Sequence, residues 1–193
     1  MLLGRNGAGK STLLRCLAGW QRIDRGSISL GGRPLREVQP HAGRPVLVPD
    51  TPSFYAELTA WEHLQLLGQL RGLRGWKDAA DRLLEVFGLT AHKGAYPSSF
   101  SRGMQYKLAL SIALLMQPRV LLLDEPFGPL DADSATALWH ELERHARDGG
   151  AVLIAAHQMP EVVKPHRFLR LLDGHLEVGD KPDAERPLAP EGP

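Results

Sequence analysis

The chain has 193 residues, of which 43% are hydrophobic and 23% are charged, and its formal net charge is +1. This length and composition predict one soluble globular domain, and the near-zero charge predicts no nucleic-acid partner. The single cysteine, Cys16, excludes an internal disulfide and a zinc site built from several cysteines. No apolar run reaches the roughly 18 residues of a membrane-spanning helix. We therefore expect any association with a membrane to go through a partner.

The first dozen residues contain the pattern G-x-x-x-x-G-K-S, which is typical of a phosphate-binding loop. Its glycines keep side chains away from a polyphosphate and allow positive φ. Lys10 is expected to reach the β- and γ-phosphates, and Ser11 to ligate Mg²⁺. A helix predicted over residues 12–18 points its N-terminus at the phosphates. An accidental match in a glycine-rich turn is the alternative. The predicted phosphate-binding residues are Gly4, Arg5, Asn6, Gly7, Ala8, Gly9, Lys10, Ser11 and Thr12.

The next part of the chain mixes short strands with helices. Residues 27–30 alternate as in a half-buried strand, and residues 45–49 form an apolar stretch between prolines that predicts a central parallel strand. Thr59, with Glu62 three residues later, predicts the capping box of a helix. Further helices are predicted over 78–87 and 104–116.

Strand patterns return in the last third of the chain. Residues 120–123 and 151–156 are continuous apolar runs typical of buried parallel strands, with a helix predicted over 134–146. Asp173 and Gly174 lie between two short strands and indicate a hairpin. This order predicts an α/β fold whose parallel-sheet core (1–49 and 118–179) is interrupted by a helical subdomain (50–117). The domain would span 1–179, and the proline-rich residues 180–193 would form a disordered tail.

Two carboxylates follow the apolar run 120–123. Nucleotide hydrolases with this loop need a second acidic group for Mg²⁺, and Asp124 at the end of a buried strand fits that role. Glu125 is then free to orient or deprotonate a water molecule. The alternative is a strand end that simply meets solvent.

Further stretches resemble the motifs of the ATP-binding-cassette (ABC) ATPases, in the order that this family shows. The resemblance runs from residue 1 to about residue 178 and implies a P-loop NTPase fold with a RecA-like core. The resembling stretches are Val48-Pro49-Asp50 (Q-loop), Phe100-Ser101-Arg102-Gly103-Met104 (signature), Leu123-Asp124-Glu125-Pro126 (Walker B), Gly128-Pro129-Leu130-Asp131 (D-loop) and Ala156-His157 (switch histidine).

The resemblance implies a role for each matching residue. Glu125 would be the general base and His157 would contact the γ-phosphate of ATP. Mg²⁺ would be held by Ser11 and Asp124, with Asp50 as a further ligand to the ion or to its water. Ser101 and Gly103 would address the nucleotide of the opposite subunit in a head-to-tail dimer, homo- or heterodimeric, with Asp131 at the interface.

Three departures from the family pattern stand out. Asp50 replaces the usual Gln, which adds negative charge near the γ-phosphate. The signature keeps Ser101 and one glycine, a form that resembles bacterial exporter ATPases. The family's two strands before the phosphate loop, with an aromatic residue that stacks on adenine, have no counterpart, so we expect the reading frame to begin about two strands earlier. Trp20 matches that aromatic by type only; a partly buried residue at a helix end is the favoured interpretation.

The resemblance implies the ATP-binding and ATP-hydrolysing subunit of an ABC transporter of exporter type. It would lie peripherally at the cytoplasmic face of the membrane and drive transport through a separate membrane permease. One alternative is an N-terminally truncated cassette with weak or no ATPase activity. The other is a soluble ABC ATPase that acts on ribosomes or DNA, which the single cassette and the absence of sustained heptads disfavour.

Overall fold

The computed structural model describes residues 1–38, 43–157, 159–172 and 174–179, so Asp173 and the expected tail 180–193 lie outside the described residues. Five α-helices and eight strands follow one another along this part of the chain, with short 3₁₀ turns between some of them. They are β1 (Leu2–Leu3), α1 (Lys10–Ala18), β2 (Ser29–Leu30), β3 (Arg33–Pro34), β4 (Val46–Val48), α2 (Ala60–Leu70), α3 (Trp76–Val86), α4 (Arg102–Leu115), β5 (Val120–Asp124), α5 (Ala132–Arg147), β6 (Ala151–Ala156), β7 (Phe168–Leu172) and β8 (His175–Gly179).

Six of the strands form one sheet in the order β4-β5-β6-β1-β7-β8. All neighbours pair in parallel except β7 and β8, which form an antiparallel hairpin. This confirms the predicted α/β class and the hairpin. A parallel strand within 45–49 is confirmed, but its predicted central place is wrong, because among the described strands β4 pairs only with β5 and lies at the edge of the sheet. Pro45 and Pro49 fit that place, since proline cannot donate to a neighbouring strand.

Strand β1 lies in the middle of the sheet although it has only two residues. Leu2 and Leu3 pair with Ala155 and Ala156 of β6 on one side and with β7 on the other. Among the described residues, Ala151–Ile154 of β6 therefore have no strand partner on the β1 side. The central place of β1 brings the loop after it to the carboxyl edge of the sheet, where β5 and β6 also end.

Strands β2 and β3 form a separate two-stranded hairpin. Of the half-buried strand predicted over 27–30, only the last two residues form a strand. This strand pairs with its own neighbour in the chain and not with the main sheet. Gly31 and Gly32 form the turn between the two strands, both with positive φ.

Helices α2, α3 and α4 lie between β4 and β5 in the chain. The predicted capping box is present at α2, where the Thr59 hydroxyl accepts from the Glu62 backbone N–H and the Glu62 carboxylate accepts from the Thr59 N–H at 2.8 Å. Helix α4 packs against α2, α3 and β4 and is buried on several sides. It therefore connects the helical segment to the sheet.

The side chains of β5 alternate between the two faces of the sheet. Leu121 and Leu123 join the larger core cluster with the helical segment, whereas Leu122 joins the smaller cluster under α1. This alternation follows from the period of two in a strand. Within the described residues, every helix is too short or too polar to cross a membrane.

Candidate functional site

A cavity of about 280 Å³ lies at the carboxyl edge of the sheet, where α1 begins. A larger cavity of about 800 Å³, lined in part by Leu30, Arg33 and Arg119, lies beside the amino end of β5. Parallel α/β sheets bind ligands at the carboxyl ends of their strands, which favours the smaller cavity. Its lining consists entirely of residues predicted from the sequence: Arg5, Asn6, Gly7, Gly9, Lys10, Ser11, Thr12, Asp50, Asp124 and Glu125.

The loop between β1 and α1 leaves the helix N-terminus open. Gly9 precedes α1 with φ 97°, and no side chain of the described residues caps the helix. The first backbone N–H groups of α1 are therefore available to an anion. Gly4 does not have the positive φ expected for it. A Cβ atom there would lie 2.8 Å from the Leu171 backbone oxygen, so the close approach of β7 requires glycine at this position.

Lys10 lies between the loop and the carboxylates. Its side chain is buried, and its Nζ donates to the backbone oxygens of Gly4 at 2.8 Å and Arg5 at 3.2 Å. The same ammonium lies 3.6 Å from Oε1 of Glu125. A buried cation thus lines the cavity, beside the loop that is expected to bind phosphate.

Asp124 ends β5 and is only 5% exposed. Burial raises the pKa of this carboxyl above its ordinary value, and the hydrogen bond from the Ser11 side chain opposes that rise. Its Oδ1 is buried without a hydrogen-bond partner in the described part of the chain. An unsatisfied carboxylate oxygen beside a hydroxyl fits Mg²⁺, which is usually held by one or two carboxylates together with substrate phosphates.

Glu125 and His157 are joined at the ends of neighbouring strands. Oε2 of Glu125 accepts from the His157 backbone N–H at 3.2 Å and lies 2.9 Å from its Nδ1, a contact that requires the ring proton on Nδ1. Glu125 has φ 48°, which is unusual for a residue other than glycine. Its N–H is held by the Ala155 oxygen at 2.8 Å. Packing between β5 and β6 therefore imposes the direction of this carboxylate.

Asp50 follows β4 and lines the same cavity. Its Oδ1 accepts from Nη2 of Arg102 at 2.7 Å. Ser101, Gly103 and Asp131, by contrast, are not among the cavity residues. Ser101 caps α4, and Asp131 caps α5 by accepting from the Ser134 N–H at 2.8 Å. The structure thus places one group of predicted residues at the cavity and a second at two other helix N-termini. The other three, Gly4, Ala8 and His157, do not line the cavity.

Helix α4 contacts the carboxyl end of β5, where Asp124 lies. The Tyr106 hydroxyl donates to the Asp124 backbone oxygen at 3.2 Å, and burial raises the pKa of Tyr106 well above its ordinary value. Lys107 donates to Oδ2 of Asp131 at 3.0 Å. The sequence alone predicts no role for Arg102, Tyr106 or Lys107. A single tyrosine within an aliphatic helix was the available signal, because a buried hydroxyl needs a partner.

Trp20 follows the C-terminal cap of α1 and is 61% exposed, so the expected partial burial is wrong. A helix of this length spans roughly 13 Å, which places Trp20 at the end of α1 away from the phosphate loop. Among the described residues, no aromatic side chain lines the cavity. Trp20 therefore does not replace an adenine-stacking residue beside the loop.

Comparisons with known proteins agree with this geometry. Residues 1–128 match the family model described as ABC transporter. The aliphatic sulfonates import ATP-binding protein SsuB of Escherichia coli (strain K12) is 36% identical over 198 residues, covering 96% of this chain and 71% of that protein. The uncharacterized ABC transporter ATP-binding protein YthP of Bacillus subtilis (strain 168) is 35% identical, covering 91% and 71%.

Solved structures show the same fold. An ATP-binding subunit of an ABC transporter superimposes with a TM-score of 0.81 at 32% identity, covering 92% of this chain and 77% of that one. The ATP-binding cassette MJ0796, in a dimeric post-hydrolysis state bound to ADP and Pi, superimposes with a TM-score of 0.79 at 22% identity, covering 92% and 83%. The family match, the relatives and the shared fold show that this chain belongs to the ABC transporter family and is one of its ATPases.

Proposed function

We propose that this ATPase is the subunit that drives substrate transport through a separate membrane permease. The observation that carries the proposal is the cavity itself. It combines an uncapped helix N-terminus, the buried cation Lys10 and the strand-end carboxylates Asp124 and Glu125. Phosphoryl transfer needs positioned charges of both signs in one place, and this cavity supplies them.

ATP would bind with its phosphates along the loop formed by residues 4–12. Lys10 would exchange its backbone oxygens for the β- and γ-phosphate oxygens. Ser11 and Asp124 would hold Mg²⁺, with Asp50 as a further ligand to the ion or to its water. The ion would neutralise charge on the phosphates during the reaction. The unpartnered Oδ1 of Asp124 supports this assignment.

Hydrolysis would proceed by attack of water on the γ-phosphorus. Glu125 takes a proton from the water as the new P–O bond forms and the bond to the β-phosphate oxygen breaks, giving ADP and phosphate. His157 would contact the γ-phosphate and, through its bond to Glu125, hold that carboxylate in place. The Nδ1 contact at 2.9 Å supports the pairing.

We further propose a head-to-tail dimer, of two copies or of this chain with another cassette. Ser101 and Gly103 at the start of α4 would face the nucleotide of the other subunit, and Asp131 would lie at the interface. Ser101 and Asp131 are exposed and lie outside the cavity of their own chain, which supports a role across an interface.

The helical subdomain over residues 50–117 would pass the motion of the dimer to the permease, while 1–49 and 118–179 form the core. This segment exposes Tyr55 and Leu70 at 64% and 72%. Exposed apolar side chains are typical of contact surfaces. The chain would then lie peripherally at the cytoplasmic face of the membrane. Export as the direction of transport stays a prediction.

The catalytic assignment is tested with Glu125→Gln in the purified chain. We expect ATP binding to persist while turnover falls roughly 10²- to 10⁴-fold, the usual cost of losing a general base, and the dimer to persist in size-exclusion chromatography with ATP. Glu143→Gln, which removes the negative charge of an exposed carboxylate on α5, is the matched control. Near-normal turnover of Glu125→Gln would contradict the role of Glu125. An unmodified chain that binds ATP only weakly would favour the truncated-cassette alternative.

The transport role is tested by co-expression with a multi-span membrane protein encoded beside the gene. We expect the chain to co-purify with that protein from detergent-solubilised membranes. The double variant Tyr55→Asp/Leu70→Asp should no longer co-purify with it but should keep its ATPase turnover. Co-purification that is unaffected by the double variant would exclude this surface. If the unmodified chain does not co-purify with the membrane protein, the result would favour the soluble, non-transport alternative.

A further inference from the structure

Asp50 and Arg102 are charged residues that depart from the family pattern, and they contact each other. Asp50, where the family has Gln, pairs with Arg102, which lies between Ser101 and Gly103. We propose that Arg102 is a positioning residue for the phosphate site. It holds the Asp50 carboxylate at the cavity and balances its charge, so that the start of α4 and the loop after β4 are coupled within one subunit. The inference rests on the proposed function, because it requires ATP phosphates in the cavity.

The geometry connects two parts of the chain that are distant in sequence. Nη2 of Arg102 lies 2.7 Å from Oδ1 of Asp50, across a separation of 52 residues. The side chains are 67% and 43% exposed. Exposed ion pairs contribute little to folding stability. A function in the arrangement of charge at the site therefore explains the pair better than a function in stability.

The charges around the cavity show why Asp50 needs a cation. Three carboxylates line the cavity: those of Asp50, Asp124 and Glu125. Glu125 faces Lys10 and His157, and Asp124 faces the Ser11 hydroxyl. Arg102 pairs with Asp50, and Arg5 and Lys10 are the cations in the lining itself. Without Arg102, the Asp50 carboxylate would lose its ion-pair partner and repel an arriving triphosphate more strongly, because like charges at short range repel.

Arg102 is also the first residue of α4, and the same helix contacts the site at one further place, where Tyr106 donates to the Asp124 backbone oxygen. Lys107 pairs with Asp131, which lies outside the cavity. A movement of the start of α4 away from the loop after β4 would stretch the Asp50–Arg102 pair and change the charge that the phosphates meet. The Gln that the family usually has would carry no such charge.

The experiment is a double-mutant cycle on the full chain with Arg102→Gln, Asp50→Asn and the double variant. Apparent ATP affinity is measured by competition with a fluorescent ATP analogue, and kcat and KM by phosphate release. We expect Arg102→Gln alone to raise the ATP dissociation constant and KM about three- to tenfold, the scale of one charge interaction at a partly exposed site, with a smaller change in kcat. In the Asp50→Asn background the same substitution should change neither constant by more than about twofold.

Two further variants separate pairing from a general structural effect. Arg102→Lys should restore most of the affinity, because it restores the positive charge. Lys93→Gln removes the cation of an exposed ion pair with Asp81 in the same helical segment and should leave KM unchanged. The coupling should also shrink as ionic strength rises, since exposed charges are screened.

The results that overturn the inference are distinct from those that overturn the proposed function. An unchanged ATP affinity in the Arg102→Gln variant would contradict the inference. An equal loss of ATP affinity when Arg102→Gln is made in the Asp50→Asn background would also contradict it, because that result would indicate a direct contact of Arg102 with a partner's nucleotide. If Arg102→Gln does not fold, Arg102→Lys is compared with the parent instead, and a roughly tenfold loss of affinity in that variant would contradict the charge argument. A Lys10→Ala variant that still binds ATP with normal affinity would instead contradict the proposed function.

Discussion

The N-termini of α1 and α4 differ in how their backbone N–H groups are satisfied. α1 begins after Gly9, which offers no side-chain acceptor, and Lys10 is its first residue. α4 begins after Ser101, whose Oγ accepts from the Met104 N–H at 3.2 Å. The first terminus lines the cavity and the second does not.

This contrast determines what each terminus can bind without further change. No side chain of the described residues caps the N-terminus of α1, which also carries the positive end of the helix dipole, so it can receive a phosphate directly. The N-terminus of α4 already uses one hydroxyl for its own cap, so Ser101 would have to serve the helix and a nucleotide together. We therefore expect substitution of Lys10 at the α1 terminus to weaken ATP binding, and substitution of Ser101 at the α4 terminus to affect mainly the dimer.

The largest effect on ATP binding is expected from Lys10→Ala at the α1 terminus. Loss of the central cation should lower turnover roughly 10²- to 10³-fold, as removal of one positioned electrostatic group usually does, and should weaken ATP binding as well. The measurement is phosphate release together with equilibrium ATP binding. Lys164→Ala, which removes an exposed lysine after β6, is the control. A Lys10→Ala chain with normal ATP affinity would remove the contrast between the two termini.

Ser101→Arg tests the α4 terminus and should abolish turnover of the dimer while monomeric ATP binding stays within about twofold, because Ser101 lies outside its own cavity. Ser101→Thr keeps a hydroxyl and a helix cap and should retain most activity. Binding is measured at protein concentrations where the chain is monomeric, and turnover where it is dimeric. Loss of binding in the Ser101→Arg monomer would show that the two termini serve the same nucleotide.

Gly103→Ala examines how tightly the α4 terminus is packed. A Cβ atom at this position would lie 2.8 Å from the Pro129 backbone oxygen. Overpacking of this kind costs about 1–3 kcal/mol of unfolding free energy, offset by up to about 1 kcal/mol of helix propensity. Gly94→Ala is the matched control, because a Cβ atom there would meet open space in the described part of the chain. Equal thermal stability of the two variants would show that the segment around Pro129 can move away.

The smallest effect concerns Asp131, the cap of α5. Its hydrogen bonds with Ser134 and its pairing with Lys107 hold the pKa of this carboxyl well below its ordinary value. A lowered carboxyl pKa stabilises the fold above the unfolded value of about 3.9, and that stability is lost as the pH falls through the folded pKa. Asp131→Asn keeps the cap but removes the charge.

Unfolding by urea, followed from pH 7 to pH 3, measures this contribution. We expect the parent to exceed Asp131→Asn by no more than about 1 kcal/mol near neutral pH, because the side chain is largely exposed and its charge is screened. The difference should shrink below about pH 4, near the ordinary aspartate pKa. A difference that grows as the pH falls would have the wrong sign for a stabilising carboxylate.

Much of the fold was predictable because its signals are local. The apolar run before Asp124, the capping box at Thr59 and the strand over 151–156 each depend on neighbours a few residues away, and each is confirmed. The phosphate loop is likewise a short pattern whose spacing places Gly9 and Lys10 at a helix N-terminus. The catalytic and ligand roles of these residues stay predictions.

Local sequence therefore specifies the helices, the strands and the residues that follow them, because hydrophobic period, caps and turn residues act over one or two turns of chain. Three features come from tertiary packing instead: β4 lies at the sheet edge, Gly4 is needed for the approach of Leu171, and Asp50 meets Arg102. Sheet order and contacts across 52 residues arise from how helices and strands pack, and no local pattern encodes that packing.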